Sequence, residues 1–268
     1  MAARTLLFFG AALFAFAQTA LAVEEERTVA HFTGISVSDG IVVHANTTAN
    51  ASADGTSSLV LSGAPDAVSG VRSHVDVWGT LILSRAPGAS HSDVVATAVV
   101  SGPLTYAGAT SRGNLTAYAV SGTVIVSSRS TMDVGKLDAS RPTSIVASSE
   151  SSLKVSSGHV PFLSVSCSAL SSMALAGLQA DSASIAVSAK SSVAGVALGS
   201  ATVSVSSQSL LSMVATQSVG LSCTTSEVYI SGGAAVTPYS NDRCTVDISS
   251  TQAAMPPPRR LDAATVFL

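Results

Sequence analysis

Hydrophobic and hydroxyl-bearing residues alternate along most of this chain, and from about Val124 to Ile230 the alternation returns at nearly constant intervals. Within each unit an aliphatic residue occupies every second position, and serine or threonine fills most positions between. Four units align with starts 20, 20 and 18 residues apart, at Ile145, Val165, Ile185 and Val203. A two-residue period indicates β-strands, and a repeat of about 20 residues indicates stacked coils.

The repeat predicts an all-β fold, specifically a right-handed, single-stranded parallel β-helix, or solenoid. One coil cannot bury its inward aliphatic face alone, whereas stacked coils bury a continuous core and pair each strand with both neighbouring coils. Parallel crossovers of this kind are expected to be right-handed. A β-sandwich is the alternative, but sandwiches show turn signals about every 8 to 12 residues without the longer self-similarity.

Before the repeat, the pattern predicts shorter strands joined by turns. Val29 to Ala45 is typical of two strands around an Asp39-Gly40 turn, and Val71 to Ser84 of two strands around Trp78-Gly79. We therefore expect hairpin-like strands at the N-terminal end. The polar stretch from Asn46 to Ser57 predicts a loop. Beyond the first residues no stretch sustains a period of about 3.6, so helix content should be low.

Residues 1–22 predict a secretory signal peptide. Arg4 precedes an apolar run from Leu6 to Ala17, and the Ala20-Leu21-Ala22 sequence favours cleavage after Ala22. An uncleaved membrane anchor is the alternative, but this run is short against the roughly 20 residues of a spanning helix. We expect a mature chain without a membrane span, secreted, extracellular or at the cell surface.

Residues 23–250 are the predicted β-helix domain, and residues 251–268 are a Pro-rich C-terminal tail. Three consecutive prolines at 256–258 favour an extended segment, so the tail is predicted to be disordered or a short contact segment.

The composition narrows the classes of partner. Charged residues make up 11% of the chain, aromatic residues 4%, and the formal net charge is −3. No basic patch indicates nucleic-acid binding. Serine and threonine therefore supply the polar surface that lysine and glutamate usually provide, and their hydroxyls are predicted to face outward.

Three cysteines enter an oxidising compartment if the chain is secreted. Cys167 and Cys223 share a phase of the repeat, but about three coils at about 4.8 Å each would separate them by roughly 14 Å. A disulfide needs Cα atoms about 4.4 to 6.8 Å apart. Cys223 and Cys244 differ by 21 residues, or one coil, which predicts a Cys223–Cys244 disulfide and a buried Cys167. Nothing local supports a reactive or metal-binding Cys167.

Three segments resemble a known family. They are Phe32 to Val43, Val71 to Leu83 with its Gly-x-Leu-x-Leu strand, and Val99 to Gly108 with a Pro-x-Leu step. Together they are similar to the head GIN domain family of auto-transporter adhesins, over about Thr28 to Ile248. The corners differ, because most are Ser-Ser where the family has Gly-Ser-Gly. The resemblance implies a secreted or surface β-helix with an adhesive role and no catalytic residues to transfer.

The search for other chemistry gives few candidates. The five histidines are scattered without metal-ligand spacing, so no metal or other cofactor is expected. Asp133, Lys136, Asp138 and Arg141 form the nearest charged group, which is typical of a solvated loop with local ion pairs. Three sequons predict N-glycosylation at Asn46, Asn50 and Asn114.

Three functions follow from these observations. The first is a non-enzymatic adhesin that binds extracellular glycans or surface proteins through Ser/Thr-rich sheet faces, with no nucleic acid. The second is a carbohydrate-active β-helix enzyme of the lyase or hydrolase type, which requires a carboxylate cluster on one face. The third is a purely structural coat. An O-glycosylated stalk is disfavoured, because a stalk has no need of aliphatic residues in phase.

Overall fold

The computed structural model describes residues 22–48 and 56–249, and β-strands dominate the chain. Of the described residues, 69% are in strands and 2% are in a helix, and the strands form a β-solenoid of about 8 turns. The predicted all-β solenoid with little helix is confirmed. Residues 1–21 of the predicted signal peptide, the predicted tail at 251–268 and the sequon at Asn50 lie outside the described residues.

The N-terminal part mixes parallel and antiparallel pairing. Within the described residues, antiparallel pairs are confined to β1 with β4, β4 with β7, and β5 with β6. The β5–β6 pair is a hairpin around Trp78-Gly79, as predicted. The elements are β1 Val23–Ala30, β2 Gly34–Val37, β3 Val42–Thr48, β4 Thr56–Gly63, α1 Pro65–Ser69, β5 Val71–Val75, β6 Thr80–Arg85, β7 Val94–Ser101 and β8 Leu104–Ala109.

The remaining strands form the regular stack, and each pairs in parallel with neighbouring coils. The four predicted unit starts pair directly, because Ile145 is opposite Val165, Val165 opposite Ile185, and Ile185 opposite Val203. The sequence repeat is therefore the structural coil. The strands are β9 Asn114–Val126, β10 Thr131–Asp138, β11 Thr143–Ala147, β12 Ser152–Val155, β13 Gly158–Cys167, β14 Ser172–Ala174, β15 Leu178–Val187, β16 Ser192–Ser206, β17 Leu210–Thr224, β18 Glu227–Ser231, β19 Ala235–Asp242 and β20 Thr245–Ser249.

The turn at Asp39-Gly40 is a solenoid corner and not a hairpin. Strand β2 pairs with β6 and β8, whereas β3 pairs with β7 and β9, so the two strands are not partners. Asp39 and Gly40 both have positive φ, 59° and 72°. Two consecutive left-handed residues direct the chain onto the next face of the coil, where each strand finds partners from other coils.

The predicted loop from Asn46 to Ser57 is wrong at both of its described ends. Asn46 and Thr47 lie in β3, opposite Val99 and Val100 of β7, and Thr56 begins β4. Pairing with β7 overrides the low strand propensity of asparagine, because strand preference depends strongly on cross-strand context.

A continuous aliphatic core runs through the stack. Residues at one inward position of successive coils lie above one another and are fully or almost fully buried. This column contains Leu115, Met132, Leu153, Met173, Val193, Leu211 and Val228. Because each coil covers its neighbours, no single coil has a core of its own.

Each repeat corner has two consecutive non-glycine residues with left-handed φ, followed by a buried serine. The corner pairs are Ser128-Arg129, Ser149-Glu150, Ala169-Leu170, Ala189-Lys190 and Ser207-Gln208. The buried residues that follow are Ser130, Ser151, Ser171, Ser191 and Ser209, with Ser226 in the next coil. The prediction that serine hydroxyls face outward is therefore wrong for these serines, and Ser192, Ser212 and Ser231 are buried as well.

These buried serines are joined from coil to coil by hydrogen bonds. The backbone N–H groups of four of them, Ser151, Ser171, Ser191 and Ser209, donate to the Oγ of the serine in the next coil. The N to Oγ distances are 3.2 Å for Ser151 to Ser171, 3.2 Å for Ser171 to Ser191, 3.3 Å for Ser191 to Ser209, and 3.2 Å for Ser209 to Ser226. We call this column the serine ladder. It satisfies backbone donors that the left-handed corners leave inside the protein.

Candidate binding face

One face of the stack presents mainly hydroxyl groups. It consists of residues 143–147, 162–167, 182–187, 200–206 and 218–224, and we call it the hydroxyl face. Aliphatic residues of these strands point into the core, so the alternating serines and threonines must point outward. The outward hydroxyl residues are Ser144, Ser164, Ser166, Ser182, Ser184, Ser200, Thr202, Ser204, Ser206, Ser218, Ser222 and Thr224.

The hydroxyls form rows and columns because the coils are in register. Ser144, Ser164, Ser184 and Thr202 lie opposite one another in four successive coils. Paired strands are about 4.8 Å apart, and alternate residues along a strand are about 6.6 Å apart. In a neighbouring column the Ser218 hydroxyl donates to Ser200 Oγ at 3.1 Å. The face is therefore a regular two-dimensional array of neutral donors and acceptors.

The hydroxyl face carries no charged side chain. Its five ranges contain no Asp, Glu, Lys or Arg. The exceptions among its outward positions are apolar or small: Phe162, Val146, Ala186 and Gly220. A neutral hydroxyl loses much less hydration free energy on burial than an ionised group does, so this face can be covered by a partner at lower cost.

The charged residues singled out from the sequence lie on other parts of the coils and form surface ion pairs. Lys136 Nζ is 2.8 Å from Asp138 Oδ2, and Lys154 Nζ is 3.7 Å from Asp133 Oδ2. The hydrogen bond from Lys136 lowers the pKa of Asp138 below its ordinary value. Arg141 is exposed. The ion pairs are exposed as predicted, but the predicted loop is wrong, because Asp133, Lys136 and Asp138 lie in β10.

The histidines are dispersed over the surface. All five are exposed: His31, His44, His74, His91 and His159. His159 Nε2 lies 3.2 Å from Asp181 Oδ1 of the next coil. Among residues 22–48 and 56–249, no group of three His, Cys, Asp or Glu side chains is placed to hold a metal ion.

The cysteines are placed as the repeat predicts. Cys223 and Cys244 form a disulfide with Cα atoms 6.1 Å apart. Cys167 is free and buried. It lies three coils from Cys223, because Val187 and Val205 occupy the same position in the two coils between them. Burial raises the pKa of the Cys167 thiol to about 12. The thiol donates to Ser171 O at 3.4 Å, so it behaves as a core side chain and not as a nucleophile.

Two of the three sequon asparagines lie within the described residues. Asn46 lies near the end of β3 and Asn114 begins β9, and both side chains are exposed. Glycosylation at these residues and at Asn50 stays a prediction. Asn46 is opposite Val99 of β7, and Asn114 is opposite Val42 of β3 and Thr131 of β10, so neither residue pairs with a strand segment of the hydroxyl face.

Sequence reasoning assigned Trp78 to a turn and missed its exposure. The side chain is 85% exposed and that of Val77 is 92% exposed, at the tip of the β5–β6 hairpin. The Gly residue after Trp78 signalled a turn, but nothing in the sequence pattern separates an aromatic residue that packs from one that points into solvent.

The class of protein defined here is an all-β solenoid, and comparison with solved structures agrees. A protein from Parabacteroides merdae named a "putative adhesin" has a TM-score of 0.74 at 14% identity, with 86% of this chain and 97% of that chain covered. A "putative lipid binding protein" from Parabacteroides distasonis has a TM-score of 0.66 at 12% identity, with coverage of 86% and 97%.

A second Parabacteroides distasonis protein, also named a "putative adhesin", has a TM-score of 0.67 at 14% identity, covering 86% of this chain and 98% of that chain. At these identities the similarity shows a shared fold. No family model and no curated protein matches the chain. In the described part of the chain, no helix is long and apolar enough to cross a membrane.

Proposed function

We propose that this protein is a secreted or cell-surface, non-enzymatic module that adheres to glycan or protein surfaces through its hydroxyl face. The observation that carries the proposal is the uncharged array of outward serines and threonines, repeated in register over successive coils. The resemblance to the head GIN domain family and the fold shared with solved structures named adhesins support the same function.

The geometry of the face explains how it would bind. Each hydroxyl offers one donor and two acceptor positions, so a single contact has little specificity and modest strength. A flat array engages many partner groups at once, and a surface that carries many modules adds avidity. This mode of binding suits an extended partner surface better than a small ligand, which needs a concave pocket.

Export is part of the proposal. We propose that the chain is released after cleavage behind Ala22, because the first 22 residues have the features of a signal peptide. The Cys223–Cys244 disulfide supports this route, since disulfides persist in oxidising compartments.

A carbohydrate-active enzyme is the second candidate, and the charged residues disfavour it. Acid-catalysed glycoside cleavage uses a carboxylic acid whose pKa is raised so that it holds a proton near neutral pH. The pKa of Asp138 is lowered instead, because Lys136 donates a hydrogen bond to it. Asp133 is likewise beside a cation, Lys154.

Binding of the folded, secreted protein to an array of glycans and matrix proteins tests the proposal. Heat-unfolded protein is the control, and the supernatant is assayed for released sugars. We expect fold-dependent binding without release. Release of sugars would support the enzyme, and the absence of any fold-dependent binding would favour a structural coat.

A further inference from the structure

The tip of the β5–β6 hairpin carries an aromatic ring that packs against almost none of the protein. Trp78 is the single tryptophan of the chain and is 85% exposed, and its neighbour Val77 is 92% exposed. A tryptophan that packs against the protein contributes through the large area that it buries. Trp78 buries almost none, so its side chain is available to a partner.

The turn that carries Trp78 is held in one conformation. Asp76 Oδ1 accepts hydrogen bonds from the backbone N–H of Trp78 at 2.9 Å and of Thr80 at 2.8 Å. The N–H of Gly79 donates to Asp76 O at 3.1 Å, and Gly79 has a φ of 74°. Because the backbone is fixed, presenting the indole ring to a ligand costs little conformational entropy.

The turn lies at the N-terminal end of the sheet that contains the hydroxyl face. Thr80 is opposite Gly34 in β2, Gly34 is opposite Tyr106 in β8, and Tyr106 is opposite Thr123 in β9. This row of paired residues leads to the hydroxyl face, because the next residue of β9, Val124, is opposite Ile145 of β11. The strand that follows Trp78 is therefore joined by continuous backbone pairing to the strands of the hydroxyl face.

Hydroxyl groups lie beside the turn. The N–H of Thr33 donates to Gly79 O at 2.9 Å, which places Thr33 next to the residue that follows Trp78. The hydroxyl of Thr105 donates to Thr33 Oγ1 at 3.3 Å, and Thr105 is exposed. A ligand stacked on the indole would thus find hydroxyl donors and acceptors at its edge.

We propose that Trp78 is a stacking platform for the apolar ring face of an uncharged sugar, with Thr33 and Thr105 available to the sugar hydroxyls. This inference rests on the proposed binding function and assigns it a ligand class, a neutral glycan. The aliphatic C–H face of a pyranose matches an indole ring in size and polarity, and its hydroxyls extend from the ring edge.

A lipid surface fits this tip less well. Stable interfacial binding requires a broad apolar face together with Lys or Arg residues toward anionic headgroups. The tip offers two apolar side chains, and the charged residue of the turn is the acidic Asp76. The formal net charge of −3 is also unfavourable near an anionic membrane.

Trp78 emission tests the inference, because the single tryptophan reports on this turn without a label. The full secreted chain is titrated with cellohexaose, chitohexaose and xylohexaose, and separately with phosphatidylcholine vesicles with and without phosphatidylglycerol. We expect a saturable emission change with at least one oligosaccharide. Trp78→Ala, followed by calorimetry, should weaken that binding at least about tenfold, whereas Trp78→Phe retains most of it.

Tyr118→Ala is the matched control, since Tyr118 is 67% exposed on β9, away from the hairpin. It should leave oligosaccharide affinity unchanged. No emission change with any of the three oligosaccharides, an unchanged affinity in Trp78→Ala, or a change with vesicles alone would each overturn the inference.

The two proposals fail separately. If Trp78→Ala binds the array as the wild type does, while the double variant Ser184→Glu with Thr202→Glu does not, the hydroxyl face binds and the Trp78 inference is wrong. If the array shows no fold-dependent binding but an oligosaccharide changes Trp78 emission in a saturable way, the inference stands and the proposed function fails.

Discussion

The backbone N–H of Ser171 donates a hydrogen bond to Ser191 Oγ at 3.2 Å, although both residues are buried in the protein. The bond joins two successive coils at the corner where the chain leaves the hydroxyl face. It is one rung of the serine ladder, which explains why the same serine returns in every aligned unit. The hydroxyl replaces water as the partner of a backbone donor that the corner has buried.

Removing a ladder serine should destabilise the protein by about 1–3 kcal/mol, the cost of leaving a buried donor without a partner. Ser191→Ala takes away the acceptor of the Ser171 N–H. Urea unfolding of the variant and the wild type measures the difference in the free energy of unfolding.

Ser130→Ala is the matched control for that experiment. Within the described residues, the Ser130 Oγ is buried and has no hydrogen-bond partner. The preceding coil has Gly113 at this position, and its N–H donates to Thr110 O instead. We expect Ser130→Ala to leave stability unchanged or slightly raised. Equal losses in Ser130→Ala and Ser191→Ala would contradict the role of the ladder.

The disulfide should stabilise the last coils in particular. Cys223 and Cys244 are 21 residues apart and lie at the C-terminal end of the stack. Replacing both with serine should lower the free energy of unfolding by about 3 kcal/mol, since closing a loop of this length restricts the unfolded chain. Hydrogen exchange should accelerate in β19 and β20 and stay unchanged in β11. Uniform acceleration over all coils would be the contrary result.

Stability should fall in alkaline solution because of Cys167. Burial raises the pKa of its thiol from an ordinary value of 9.0 to about 12. Between these values the folded chain keeps the thiol proton and the unfolded chain loses it, so the free energy of unfolding decreases as pH rises. Below about pH 9 this contribution is fully present.

Cys167→Ala isolates that contribution from other groups that titrate at high pH. Urea unfolding at pH 8, 9 and 10 should show a shallower decrease for the variant than for the wild type. In the native wild type at pH 8, a thiol reagent should react with no cysteine, and one thiol should appear on unfolding. Parallel pH profiles, or a reactive native thiol, would rule out the buried thiol as described.

Glycans at the exposed sequons should leave binding unaffected. Asn46 is opposite Val99 of β7 and Asn114 is opposite Thr131 of β10, so neither residue lies on the hydroxyl face. In a secreting eukaryotic host, peptide mass spectrometry should find modified asparagine, and Asn46→Gln with Asn114→Gln should bind the array as the wild type does. A changed affinity would place the glycans at the binding surface.

The coil repeat, the buried Cys167 and the disulfide could all be predicted because they follow from periodicity. The period places Cys244 in the coil next to Cys223, close enough for the disulfide, although the residue directly opposite Cys223 is Asn241. The direction of a turn could not be predicted this way. Asp39-Gly40 is typical of a hairpin, yet its strands pair with other coils, and only long-range partners decide between the two.

The sequence predicts that the candidate face presents hydroxyl groups, but it does not predict which serines are buried at its edges. Alternation places serine outward along strands, and this holds for Ser164 and Ser166. The rule that serine faces outward fails beside the corners, where Ser171 keeps the inward phase of Cys167 and Met173 and is buried. The exposure of Trp78 depends on how the hairpin projects from the stack, which no local pattern encodes.

The most direct test of the central claim charges the hydroxyl face and compares it with an equal change elsewhere. Ser184 and Thr202 are exposed neighbours on this face, and Thr131 and Ser152 are exposed neighbours on β10 and β12. Both double glutamate variants gain the same charge on paired strands. We predict that Ser184→Glu with Thr202→Glu abolishes array binding, because covering two carboxylates removes their hydration. Thr131→Glu with Ser152→Glu should bind as the wild type does, and equal binding by the two double variants would contradict the account.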